Sequence, residues 1–362
     1  MSVDFWEQGK TTFLAAAAQE LTNRGLKVGI LTNDQGSRLV DTQVFQAMGL
    51  TTEAITGGCF CCRFQDLISH AESVVRKAKP DVLLAEAVGS CTDLWATVYQ
   101  PLRRFHRQRF HLVPLTVMVD PARLRAVLGN AGSALPAAFR YLFEHQLAEA
   151  DWLVLTKSDQ LEAAESTRLT QILSSWFPAT WVHEASAQYR KGVSVWVDRL
   201  LVSEAGSGNA LRLDYQTYAD AEAALGWLNA TAEVTAQRDF SPAAWAETFA
   251  REVRLRCRDD RLQVAHFKVL VAGSERSDRL ALTENDGELI WTAGTPLGSA
   301  SAVTAVINAR IEAVPDKLKE IVEQSLWTAG EALGVRTAIQ DMECFSPTAP
   351  QPTYRFSAVK RR

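Results

Sequence analysis

At 362 residues the chain is longer than one hydrophobic core supports, so two domains are expected. A formal net charge of −4, with Lys and Arg scattered except at Arg103-Arg104 and Lys360-Arg361-Arg362, excludes a surface built to coat nucleic acid or membrane. There is no apolar run long enough to span a bilayer and no signal-peptide pattern, and the six cysteines are a triplet plus isolated Cys91, Cys257 and Cys344, a usage that reads as reducing and cytoplasmic.

Taken in order, Gly9-Lys10-Thr11-Thr12 followed by the alanine-rich run from Phe13 to Leu21 and Gly25 reads as a phosphate loop opening a helix. Backbone N–H groups at such a helix start cradle a β-phosphate, Lys10 spans the terminal phosphates and the Thr11 hydroxyl coordinates Mg²⁺. The full pattern wants a glycine where Asp4 stands, and little room is left upstream for a launching strand. Two expectations stay open: the natural start lies further upstream, or the loop binds nucleotide weakly.

Lys27 to Thr32 is a buried strand running into Asn33-Asp34-Gln35-Gly36, an acidic loop. Pro80 to Glu86 is a second such run; it delivers Glu86 and Gly89 to the carboxyl edge of a parallel sheet, where ligands bind and a carboxylate holds Mg²⁺-bound water or orients the attacking one. Leu112 to Val119 ends in Asp120. Trp152 to Leu155 ends in Thr156-Lys157-Ser158-Asp159, whose aspartate can accept from the guanine N1–H and 2-amino groups. Trp181 to Glu184 runs into Ala185-Ser186-Ala187, with the backbone of Ser186 and Ala187 placed to meet the guanine carbonyl, and an amphipathic helix from Ser194 to Leu201 closes the unit. The catalytic candidates are Lys10, Glu86 and Asp34.

Between the first two of these strands lies Gly57-Gly58-Cys59-Phe60-Cys61-Cys62. In an extended segment Cys59 and Cys61 project to one side, and a turn at Cys61-Cys62 brings in the third sulfur. Thiolates at this spacing suit Zn²⁺, Cu(I) or Co²⁺ far better than Mg²⁺, whereas three reduced cysteines buried as small hydrophobes are the plainer alternative. The fourth-ligand candidates are Asp34 and Cys91.

These stretches together resemble the CobW-type family of P-loop GTPases, which handle zinc or cobalt as metallochaperones. The matching positions run from about residue 9 to 201: Gly9-Lys10-Thr11-Thr12 resembles the phosphate loop, Asn33-Asp34-Gln35-Gly36 the Asn-Glu-Phe-Gly segment and Gly58-Cys59-Phe60-Cys61-Cys62 the Gly-Cys-x-Cys-Cys metal motif. Glu86-Ala87-Val88-Gly89 resembles the Glu-x-x-Gly ending, and Thr156-Lys157-Ser158-Asp159 the guanine motif. Ser37 replaces a family acidic residue, Asp4 a loop glycine and Ser90-Cys91-Thr92 the usual Leu-Ala-Asp, and the histidine-rich insertion of many members is missing, which argues against bulk metal storage. The resemblance implies an α/β P-loop fold, a mostly parallel sheet with helices on both faces, plus a smaller α+β carboxy-terminal domain. It implies GTP, Mg²⁺ and Zn²⁺ (or Co²⁺) as ligands, and as partner a client metalloprotein or cofactor-synthesis enzyme. Self-association is left open. No arginine finger is evident, so hydrolysis is expected to be slow. A nucleotide-impaired metal-binding or interaction protein descended from such a GTPase is the alternative.

The expected organisation is a GTPase domain over 1–202, a linker over 203–210, an α+β domain over 211–345 and a proline-rich tail, extended or disordered, over 346–362. In the second half we expect a strand at Leu211 to Tyr215 and helices at Asp220 to Leu228 and from Ser241-Pro242 to about Arg256. Strands at Val264 to Val271, Arg279 to Thr283, Leu289 to Ala293 and Ser301 to Ile311 follow, then a helix from Asp316 to Leu333 stopped by Gly334.

Overall fold

The computed structural model describes residues 2–4, 9–33, 42, 45, 46, 48–129, 136–206, 211–273, 276–292 and 297–356. They fall into two compact units, one taking residues up to 33, from 42 to 218 and from 350 onward, the other residues 219–349.

The first unit is built on parallel strands β1 (Ser2–Asp4), β2 (Val28–Asn33), β3 (Thr51–Ile55), β4 (Val82–Glu86), β5 (Thr116–Val119), β6 (Trp152–Leu155) and β7 (Trp181–Glu184) in the order β3-β2-β4-β1-β5-β6-β7. Every residue of β2 is buried, as in a parallel sheet covered on both faces. The helices α1 (Lys10–Asn23) and α2 (Phe64–Ala78) supply the two covers. Ile30 packs into the cluster that α1 forms with Phe13, Leu14, Ala17 and Leu21, whereas a Cβ added to Gly29 would meet Val74 of α2 at 2.4 Å. Adjacent residues of a strand face opposite ways, so α1 and α2 lie on opposite faces. Further α-helices of this unit among the described residues are α3 (Gln100–His106), α4 (Pro121–Val127), α5 (Ala137–Glu149), α6 (Ala163–Trp176) and α7 (Val193–Val202). Trp196 of α7 meets Phe13 edge-on at 5.2 Å, sealing the α1 face.

The launching strand for which the sequence left little room is Ser2–Asp4: only three residues long, it pairs with β5 from Ser2↔Thr116 to Asp4↔Met118 and touches β4 at Ser2↔Glu86. Strand β3, Thr-Thr-Glu-Ala-Ile, is half-buried and carries too little apolar patterning to be foreseen.

The second unit follows α8 (Tyr215–Ala223) and is an antiparallel sheet of β8 (Gly226–Phe240), β9 (Val264–Ala272), β10 (Ser277–Leu282), β11 (Ile290–Thr292), β12 (Ala300–Ile311) and β13 (Arg336–Phe345), ordered β11-β10-β9-β12-β8-β13. Trp245, Phe249 and Val253 of α9 (Pro242–Asp259) and Leu318, Ile321 and Val322 of α10 (Pro315–Leu333) pack over it. Ser241 caps α9 by accepting from Ala244 N–H at 3.2 Å, and Gly334 ends α10 with φ 63°.

Two readings fail here. Leu211–Asp214 is no strand, because Asp214 Oδ1 accepts from the N–H groups of Gln216 (2.8 Å) and Thr217 (3.0 Å) and so starts α8 instead. The helix expected to reach Leu228 stops at Ala223, and Gly226 opens a 15-residue strand. Its alanines look helical, but pairing along both β12 and β13 decides the conformation.

Candidate nucleotide and metal site

β1 lies between β4 and β5 and runs parallel to both, so its carboxyl end lies at the edge where the Glu86 and Asp120 loops also emerge, the place where open α/β sheets bind ligands. Gly9 sits at φ 112°, a conformation costly for other residues, and its carbonyl accepts from Phe13 N–H at 2.7 Å to start α1. Lys10 is 1% exposed; its Nζ donates to Ala87 O and lies 3.6 Å from Glu86 Oε1. Thr11 Oγ1 donates to the same Glu86 oxygen at 2.8 Å. Thr12 is half-buried. Lys10, Thr11 and Glu86 are therefore brought into one buried cluster, while Asp34 lies outside the described residues.

The base-reading candidates converge on the neighbouring edge. A Cβ on Gly9 would stand 3.7 Å from Thr156 Oγ1, so Gly9 adjoins the segment after β6. Thr156 N–H donates to Val119 O at 2.9 Å, and Lys157, at φ 51°, places Nζ 2.8 Å from Asp120 Oδ2. Burial opposes the charge on Asp120, yet the Lys157 ammonium beside it prevails and keeps the carboxyl below its ordinary value. Asp120 also caps α4, accepting from Ala122 N–H at 2.8 Å. Ser158 N–H donates to Ala185 O at 3.2 Å, joining the loop after β6 to that after β7. Asp159 is exposed, Ser186 buried and Ala187 half-buried.

The thiols meet by a different device from the one their spacing suggests. Cys59–Arg63 is a helical turn rather than an extended run: Cys59 O accepts from Cys62 N–H at 3.1 Å and from Arg63 N–H at 2.9 Å, leading into α2. The sulfurs stand 2.8 Å (Cys59–Cys61), 3.4 Å (Cys59–Cys62) and 3.6 Å (Cys61–Cys62) apart. Gly57 at φ 69° makes the bend into the turn, and Phe60 and Phe64, both fully buried, anchor it. Hydrogen bonds from Cys61, Cys62 and Cys91 hold the Cys59 thiol well below the ordinary thiol range. The same contact with Cys59 pushes Cys61 well above it and Cys62 up to about 12, with burial adding to both. Among the described residues these three cysteines are the group of potential ligands close enough to share one ion.

What sequence reasoning missed is how the thiol turn is fastened to the sheet. Asn33, the last residue of β2, donates through Nδ2 to Ile55 O (3.1 Å) and Gly58 O (2.8 Å), and its Oδ1 accepts from Phe60 N–H at 2.9 Å. Three hydrogen bonds from one buried side chain fasten the thiol turn to the end of a central strand, about 1 kcal/mol each. The signal available was an asparagine ending an apolar strand, a residue whose amide donates and accepts at once.

Compared with known proteins, residues 5–183 match the CobW/HypB/UreG nucleotide-binding domain. Those residues belong to the CobW/HypB/UreG family. Comparison with curated proteins returns no match. Among solved structures, the chain is similar to the hydrogenase maturation factor HypB from Archaeoglobus fulgidus, with 20% identity, 55% of this chain and 87% of that chain covered and a TM-score of 0.38. It is similar to HypB from Helicobacter pylori in complex with nickel (16%, 55% and 85%, 0.38) and to Zn(II)-bound YjiA GTPase from E. coli (14%, 92% and 97%, 0.36). Likenesses this distant bear on neither the reaction nor the metal of this chain.

Apart from Glu86, the CobW/HypB/UreG domain buries acidic residues that the sequence did not announce. Asp93, fully buried at φ 62°, lies on the loop after β4, and Glu149 ends α5 with Oε2 accepting from Trp95 N–H at 3.3 Å. Burial, reinforced by the nearby Asp93 charge, pushes the Glu149 carboxyl up to about 8. The folded chain thus keeps a proton that the unfolded chain gives up near pH 4.5, so this group lowers stability as pH rises from about 4.5 to 8 and not beyond. Glu149→Gln should flatten that slope and raise stability at pH 8 by on the order of a few kcal/mol, read from denaturant unfolding at pH 5.5 and pH 8. A variant no more stable than the parent at pH 8 would show that Glu149 is not held protonated.

Proposed function

We propose that this chain binds and hydrolyses GTP and uses the nucleotide state to control the binding and delivery of a transition metal, zinc above all, to a client metalloprotein or cofactor-synthesis enzyme. The observation that carries the reading is Asn33, whose one side chain joins the thiol turn to the strand that leads into the acidic loop. Family membership of residues 5–183 supports the nucleotide half, and the three clustered sulfurs support the metal half.

In this reading Gly9 and the start of α1 receive the phosphates, and Lys10 exchanges the Ala87 carbonyl for phosphate oxygens. Thr11 and Glu86 offer two buried hard oxygens 2.8 Å apart, a donor set that fits Mg²⁺. Bound there, Mg²⁺ would neutralise charge on the transferring phosphate. Glu86, with Asp34, orients the attacking water. Thr156, Lys157 and Asp159 take the guanine, with the Ser186 and Ala187 backbone against its carbonyl.

The cargo ion takes Cys59, Cys61 and Cys62 as thiolates, leaving the fourth tetrahedral position for water, Asp34 or Cys91, whose thiol donates toward Cys59. Binding must release the protons of Cys61 and Cys62, so affinity should tighten with rising pH. Because Asn33 ends the strand that leads into Asp34 and also holds the thiol turn, GTP and Mg²⁺ that engage the acidic loop around Asp34 favour one arrangement of the thiol turn, and hydrolysis releases it.

The base choice tests the nucleotide half. Asp159→Asn removes the carboxylate that accepts from N1–H and the 2-amino group, so the variant should prefer xanthosine over guanosine nucleotides in competition binding. Guanine selectivity that survives the change would misplace the base pocket, and a parent chain that binds metal but no nucleotide would select the nucleotide-impaired alternative.

A further inference from the structure

The tail does not hang free. Residues 350–356, expected only to be extended or disordered, run along the thiol turn in irregular but hydrogen-bonded form. Gln351 N–H donates to Cys62 Sγ at 3.2 Å, Thr353 N–H to Cys61 O at 2.9 Å and Thr353 Oγ1 to Cys62 O at 3.0 Å. Two of the three thiol-bearing residues are thus held by the tail through carbonyl or sulfur. Cys62, the only half-buried member of the triad, is the one touched at both.

Aromatic and charged anchors keep this segment in place. Tyr354 packs edge-on against Phe64, the first residue of α2, at 5.4 Å, and against Phe105 at 5.2 Å. Phe356 N–H donates to Ala96 O at 2.9 Å, with the Arg104 guanidinium 5.0 Å above its ring. Arg355 Nε lies 2.7 Å from Asp93 Oδ2, an oxygen that also accepts from Tyr215 O–H at 2.8 Å, while a second Arg355 nitrogen donates to Leu211 O at 2.9 Å. Asp93 is fully buried, and a buried carboxylate requires such partners, so Arg355 is seated specifically and not by accident of an exposed tail. Asp93 belongs to the loop that follows Glu86, so the segment reaches from the thiol turn to that loop.

We propose that residues 350–356 form a strap that closes the three-thiol site and governs how fast metal enters and leaves it, with Arg355 and Asp93 as its latch. The proposal rests on the reading of Cys59, Cys61 and Cys62 as metal ligands and adds the regulation of that site. An N–H aimed at a thiolate orients the ligand and stabilises its charge, as outer-shell partners of metal ligands do. The hydrogen bonds to Cys61 and Cys62 carbonyls hold the turn that converges the sulfurs. Lifting the strap uncovers the Cys62 side of the site, and a client that takes the ion there displaces it.

The test uses the full chain loaded with Co(II), then mixed with excess EDTA while the thiolate-to-cobalt absorption decays. Arg355 is left intact, because removing the partner of a buried carboxylate would threaten folding. The double variant Thr353→Val, Tyr354→Ala strips the strap's anchors from an exposed segment. Gln351→Pro removes only the N–H that reaches Cys62, between Pro350 and Pro352, which already restrict the flanking backbone. Each variant should release cobalt about tenfold faster or more, within the range that loss of an outer-shell partner costs in affinity, while GTP affinity stays at the parent value. Loss of all cobalt absorption in a variant that still binds GTP also supports the strap. Release at the parent rate in both variants overturns it and leaves the metal site standing, whereas a parent chain without cobalt absorption overturns the metal reading itself and the strap with it.

Discussion

Changing Cys61 and Cys62 together to serine is expected to weaken cobalt or zinc binding by at least about a thousandfold. The apparent binding energy of a thiolate-rich zinc site is about 10–16 kcal/mol and is spread over roughly four ligands, so two lost thiolates remove several kcal/mol. The fold should survive. Cys61 is 2% exposed and Cys62 half-buried, and the turn that carries them is held by backbone hydrogen bonds to Cys59 O and by Asn33, none of which involves those sulfurs. Thermal unfolding of the ion-free variant close to that of the parent, together with absent charge-transfer absorption, is the expected pair of results. Binding equal to the parent would make the triad a cluster of buried small hydrophobes.

Lys10→Ala should cost about a hundredfold or more in GTP affinity. Its ammonium is buried beside Glu86 and in the proposed reading meets the phosphates, where each charge-assisted contact is worth about 1.5–3 kcal/mol. The parent chain at a GTP concentration a hundred times its dissociation constant should gain about 2.7 kcal/mol against unfolding. The variant should gain almost nothing at that concentration, and its baseline should be lower too, because the Lys10–Glu86 pair is lost from a buried place. Equal stabilisation of both chains by GTP would remove Lys10 from the phosphate site.

Much of the first unit was legible because its strands are short apolar runs punctuated by motif loops. Trp152–Leu155 and Trp181–Glu184 occur where their patterns place them, the runs from Pro80 and Leu112 contain β4 and β5, and the run from Lys27 covers all of β2 but Asn33. Local chemistry also marked the second unit where capping is explicit, at Ser241 and Gly334. It failed where partners distant in sequence decide. Gly226–Phe240 reads as Gly-Trp-Leu-Asn-Ala-Thr-Ala-Glu-Val and becomes a strand only by pairing with residues 300–311 and 336–345. Arg336–Phe345 begins Arg-Thr-Ala-Ile-Gln-Asp, without alternation, and lies at a sheet edge with a register shift between Ile339 and Asp341, so no strand was expected there.

The candidate site shows the same division. The residue types were readable from Gly9-Lys10-Thr11, Glu86, Thr156-Lys157-Ser158-Asp159 and the cysteine triplet, each a local motif. The helical turn that gathers the sulfurs, the reach of Asn33 to residues 55, 58 and 60, and the seating of Arg355 on Asp93 are products of the folded chain. Spacing alone carries no trace of a contact across 262 positions.

The central claim is that nucleotide state sets metal affinity, and one measurement addresses it directly: titration of the full chain with Co(II), followed by thiolate-to-cobalt absorption, in the presence of GTP with Mg²⁺, of GDP with Mg²⁺ and of neither. By linkage, GTP must strengthen metal binding by the factor by which metal strengthens GTP binding, typically about 5- to 150-fold for coupled sites. Cobalt should bind most tightly with GTP, with a matching gain in GTP affinity once cobalt is bound. Cobalt affinity that is the same in all three conditions would contradict it.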